Sequence, residues 1–141
     1  MNKHKSRTSL VLMELIITIL FFSIASAVCV QLFVKSHLIS KETNELNNAV
    51  NISQSISEVM NGTNGSLSSI QNFYPTAVGD DDYFVIYYDE NFNETLDTDS
   101  YMYAADVTVT SVGRLYNMEV QIKKKPDFDI IYSIKSSKYI R

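Results

Sequence analysis

Few residues in this 141-residue chain are able to do chemistry, and their placement argues against catalysis. His4 and His37 are the two histidines, and they flank a long apolar run. No histidine stands among the serines and threonines of the C-terminal half, so a Ser–His nucleophile has no base there. Cys29 is the single cysteine, which excludes an intrachain disulfide and a cysteine-rich zinc site. Asp80, Asp81 and Asp82, followed by Asp89, Glu90, Asp97 and Asp99, offer oxygen ligands to a hard cation, but without the glycine and terminal glutamate of an EF-hand loop. Asp89, Asp97 and Asp99 are the calcium candidates, set against a plain solvated acidic loop; no cofactor is expected. Lys123, Lys124 and Lys125 suit either a phosphate or acidic partner, or the guarding of an exposed strand end against edge pairing. One acid stands apart. Glu14 lies inside the apolar run, where an acidic side chain at the centre of a membrane helix costs ~2.5–3.5 kcal/mol or more. Such a group needs a partner, a function or a path to the headgroups.

The elements that must carry these residues follow from periodicity. Residues 10–34 contain no Asp, Glu, Lys or Arg apart from Glu14, and neither Gly nor Pro. As a helix they would be roughly 37 Å long, enough to cross a ~30 Å hydrocarbon core. Lys3, Lys5 and Arg7 precede the run, so this end is expected to stay in the cytoplasm and the rest to lie outside. An all-soluble enzyme and a multi-spanning transporter are both disfavoured, because one such run occurs and no second follows. Beyond it, Leu46, Ala49, Ile56 and Met60 form a heptad-like stripe with Ser53 as its polar gap, opposite Lys41, Glu42, Glu45, Asn48 and Glu58. One helix from about 10 to 60 is expected, apolar all round and then amphipathic, ending at Gly62 and Gly65.

From residue 83 the period falls to two. Strands are expected over 83–89, 101–110, 115–123 and 128–134, with Pro126 as a break and an acidic loop over 89–99. The expected fold class is α+β: a long N-terminal helix packed on an antiparallel meander of about four strands. Its parts are a basic leader over 1–9, a membrane-spanning or filament-core helix over 10–34, its amphipathic continuation over 35–62, a loop over 63–82 and the sheet domain over 83–141. Charge is segregated. From residue 43 to 113 there are eleven acids and no Lys or Arg, whereas seven of the twelve basic residues fall from 114 onward. That pattern suits electrostatic contacts between subunits, and no nucleic-acid partner is expected.

A short basic leader, a small residue before the cut, an apolar helix start and a Glu at the fifth mature position resemble the N-terminal signature of type IV pilins and type II secretion pseudopilins. Here these are Ser9, Leu10 and Glu14, in S-LVLMELIITILFF, with Ser9 where the family usually has Gly. The resemblance implies a processing site between Ser9 and Leu10 for a prepilin peptidase. It implies that Glu14 sets assembly and register by pairing with the new amine of Leu10 in a neighbouring copy. It also implies a bacterial, single-pass membrane protein that is no enzyme itself. Its partners would be the membrane, other pilin-like subunits, the peptidase and an inner-membrane assembly platform, in a secretion, competence or pilus-like filament. The atypical Ser9 points to a minor subunit.

Three other readings address the same segment. Ala25-Ser26-Ala27 fits signal-peptidase cleavage before Val28, although the apolar run continues to Val34. Lipidation of Cys29 is disfavoured by Val28 before it. A signal-anchored extracytoplasmic binding domain that never polymerises would keep Met1 and let Glu14 snorkel to the headgroups.

Overall fold

The structure is a computed structural model and describes residues 3–63 and 66–139. The elements are α1 (Lys3–Gly62), α2 (Leu67–Gln71), β1 (Val78–Gly79), β2 (Tyr83–Tyr88), β3 (Glu94–Thr95), β4 (Tyr103–Val112), β5 (Leu115–Lys124) and β6 (Asp129–Tyr139). The chain divides into two compact units, Met1–Glu42 and Thr43–Arg141, with α1 contributing to both.

The first unit is helix. Every described side chain from 7 to 42 is exposed, including Leu12, Ile16, Phe21, Phe22 and Phe33, the last at 80%. This part of α1 is long and apolar enough to cross a membrane. The three hydroxyls of residues 10–34 are satisfied within the helix: Thr18 Oγ1 donates to the Glu14 carbonyl at 2.8 Å, Ser23 to Ile19 at 2.8 Å and Ser26 to Phe22 at 2.9 Å. These i−4 bonds let polar residues sit in an apolar helix without unpaired donors.

The second unit is α+β. The final turns of α1 bury Ala49, Ser53, Ile56 and Met60, the heptad stripe with its polar gap. Ser53 Oγ donates to the Ala49 carbonyl, so the gap costs no unsatisfied hydroxyl. The stripe packs in one core with Phe84, Ile86, Tyr88, Tyr103, Val107, Val109, Met118, Val120 and Ile122. Strand alternation explains the set. Val107 and Val109 turn inward while Thr108 and Thr110 are exposed, and Met118, Val120 and Ile122 turn inward while Asn117, Glu119 and Gln121 line the other face.

The sheet is antiparallel, in the order β1-β2-β4-β5-β6, with β3 pairing with β2 off that path. The four expected strands are present as β2, β4, β5 and β6. The loop expected over 63–82 contains α2 and β1, and the acidic loop contains β3. A two-residue connection, Gly113-Arg114, joins β4 to β5, with Gly113 at φ 63°, the conformation that hairpin turns ask of glycine. α1 begins at Lys3, earlier than the apolar run, and Gly62 is its last residue; Gly65 lies outside the described residues.

One expectation is corrected. The lysine run does not guard a sheet edge, because β5 lies between β4 and β6. The long edge strand is β6, and it runs to Tyr139, beyond the expected 134.

Candidate functional site

The sequence-derived site lies on the first unit of α1. Ser9 and Leu10 sit on helical backbone with exposed side chains, Leu10 at 64%. Glu14 is four residues after Leu10, so the two share one helix face about one turn apart. The Glu14 carbonyl accepts from Thr18, and among the described residues its carboxylate has no ion pair or hydrogen bond. Uncut, Leu10 offers only a peptide nitrogen. Once cut, its α-amine, ordinarily titrating near ~7.7–8.0, would be cationic at neutral pH. In a low-dielectric seam two such charges would attract strongly, with desolvation offsetting much of the gain.

The calcium candidates do not converge. The Asp89 carboxylate accepts from the backbone N–H groups of Asn91 (2.8 Å) and Asn93 (2.9 Å) and from the Asn93 side chain at 3.2 Å. Asp97 accepts from the backbone of Asp99 at 2.9 Å and from the Ser100 hydroxyl at 2.6 Å. These bonds hold both carboxyls below their ordinary pKa, the Asn93 backbone N–H leading for Asp89 and the Ser100 hydroxyl for Asp97. They fix the turns of the acidic loop. Among the described residues no group of three or more His, Cys, Asp or Glu is placed to hold a metal ion.

The lysine run is engaged in three separate contacts. Lys123 pairs with Asp106, Lys124 Nζ donates to both oxygens of Glu45 at 2.8 Å, and Lys125 Nζ lies 3.6 Å from the centroid of the Tyr101 ring. The Glu45–Lys124 pair ties the amphipathic part of α1 to β5. Beside it, the Tyr103 ring stacks on Phe92 with centroids 4.0 Å apart and has Lys124 Nζ 5.9 Å from its own. Burial, then the Glu45 charge and hydrogen bond, push the Tyr103 hydroxyl up to about 12. Sequence reading placed Glu45 on the polar helix face and had no means to pair it with a residue 79 positions away. Tyr87 and Tyr101 are half-buried, with rings 4.6 Å apart, whereas Tyr88 and Tyr103 are buried.

Comparison with protein-family models, curated proteins and solved structures finds no match to this chain. The architecture is nonetheless pilin-like: a long N-terminal helix, apolar first, whose later turns pack on an antiparallel sheet.

Proposed function

We propose that this chain is a pilin-like, minor pseudopilin subunit of a secretion, competence or pilus-like filament. It is inserted with its N-terminus inside, cut after Ser9 by a prepilin peptidase, and packed through the helix beginning at Leu10. The chain is the enzyme's substrate and carries no catalytic site of its own. Glu14 is the observation that carries the reading: an acid unpaired among the described residues, four residues past the proposed cut, on a helix exposed and apolar on all sides. Lipid alone is a poor environment for such a group, and a neighbouring copy's new amine answers it.

The test is co-expression with a prepilin peptidase and an assembly platform, followed by mass spectrometry of the N-terminus and sedimentation of filaments. The expected terminus is Leu10. A terminus at Val28 would mean signal-peptidase processing, and one at Met1 a permanent anchor; either would end the proposal. Glu14→Ala should still be cut at Leu10, but its assembled fraction should fall at least about tenfold, the factor that ~1.4 kcal/mol is worth. Wild-type assembly by that variant would remove the pairing.

A further inference from the structure

The two ends of the sheet are chemically different. One edge is broken into β1 and β3, two residues each, both paired with β2. It exposes acids, among them Asp80, Asp82, Glu90 and Asp97, and two apolar side chains, Val78 at 56% and Leu96 at 69%. No Lys or Arg occurs anywhere from residue 43 to 113 to offset them. The opposite edge is β6, eleven residues long and without proline. None of its side chains is buried; Ile131, Tyr132 and Ile134 are only half-covered, and Ile130 is 54% exposed. A long edge strand presents unpaired N–H and C=O groups outward, the arrangement that recruits another strand. Its exposed charge is basic toward the C-terminal end. Lys135 is 76% exposed in a loose 3.4 Å pair with Glu119, and Lys138 Nζ donates to the neutral carbonyls of Asn61 and Thr63.

From this asymmetry we infer that the β6 edge of one copy docks on the acidic β1/β3 edge of the next. Every neighbouring pair in the sheet is antiparallel, so β6 and β3 run in the same direction. Copies held in one orientation, as in a shared membrane, therefore meet edge to edge without inversion. The contact joins two different surfaces, so it does not close into a twofold dimer and can propagate from copy to copy. Opposite charge favours this pairing, and like charge disfavours the acidic edge meeting itself. The contact deepens the filament reading by giving the sheet domain its own part in assembly, but it requires only that copies lie side by side.

Full-length chains in a Cys29→Ser background test it, one carrying Leu96→Cys and a differently tagged one Ser133→Cys, joined in membranes by a short bis-maleimide. The expected result is a cross-linked heterodimer on mixing and little product from either variant alone. The yield should fall severalfold when salt is raised from about 0.05 to 0.5 M, as the Debye length shrinks well below ~10 Å. Lys135→Glu, at an exposed position, should lower the yield likewise. Dimers formed by either variant alone, or none in the mixture although both insert, would overturn the inference. The N-terminal mass of the same samples reports separately on the filament reading, since processing at Leu10 without the cross-link removes the edge contact and leaves the pilin-like subunit.

Discussion

At the scale of single residues, Tyr103 shows how a side chain on the sheet comes to report on a helix. Its hydroxyl ordinarily titrates near 10.0 and is pushed up to about 12, first by burial and then by Glu45. A tyrosine whose pKa is higher folded than unfolded keeps its proton longer in the folded state. Its contribution is fully present below about pH 10 and is lost as pH rises toward 12, because the unfolded chain ionises first. Tyr74, Tyr83 and Tyr116 are raised mainly by burial, and Lys123 mainly by its bond to Asp106, so all act in the same direction. The protein should therefore lose stability in alkali over this window, with denaturant midpoints falling from pH 10 upward. Glu45→Gln removes a charge that raises Tyr103, so tyrosine ring-carbon NMR should show that hydroxyl titrating lower while burial still holds it above 10.0. Gly79 makes a second residue-scale case. It sits at φ 145°, and a Cβ there would run into the Tyr83 carbonyl and come within 2.7 Å of Phe84 Cα. Gly79→Ala should cost about 1–3 kcal/mol in urea unfolding, the usual range for strain at such a position.

At the scale of elements, one stripe on α1 changes role along its length. Leu46 is 43% exposed, whereas Ile56, on the same stripe, is fully buried. Ile56→Ala should cost about 3 kcal/mol through lost burial and the cavity left behind. For a domain of roughly 100 residues that is a melting temperature more than about 10 °C lower, while Leu46→Ala should shift it by only about 2–4 °C. Calorimetry of the two variants separates a true core stripe from a merely amphipathic one. The same physics decides how much could be read from sequence. β2, β4 and β5 are legible because each has one buried and one polar face, and the α1 stripe because its spacing is helical. β1 and β3 are two residues long and carry no period at all. β6 was readable to 134 and then faded, because Ser136, Ser137 and Lys138 belong to an edge strand that buries nothing. Ser9, Leu10 and Glu14 were legible as a local pattern. The Glu45–Lys124–Tyr103 contact was not, since only the folded register brings β5 beneath α1.

At the scale of the whole molecule, the chain divides its labour between two units, each with its own solvent requirement. Residues 10–34 expose apolar side chains at roughly half to four-fifths of their area, from Val28 at 49% to Phe33 at 80%. Water does not favour such a surface, and a membrane or a bundle of copies does. The buried core, by contrast, begins at Ala49 and is complete within Thr43–Arg141. The two requirements are therefore separable. A chain starting at Thr43 keeps about 30 Å of helix at ~1.5 Å per residue, together with the whole buried stripe, Glu45 and every strand. It should be soluble without detergent, unfolding in one cooperative transition, with the alkaline sensitivity of Tyr103 retained. Full-length protein should stay with the membrane fraction. Sedimentation, calorimetry and dye binding check this directly. A truncated chain that binds hydrophobic dye and melts without cooperativity would show that turns before residue 43 are needed to form the core, and the division into an anchoring helix and a self-sufficient sheet domain would then fail.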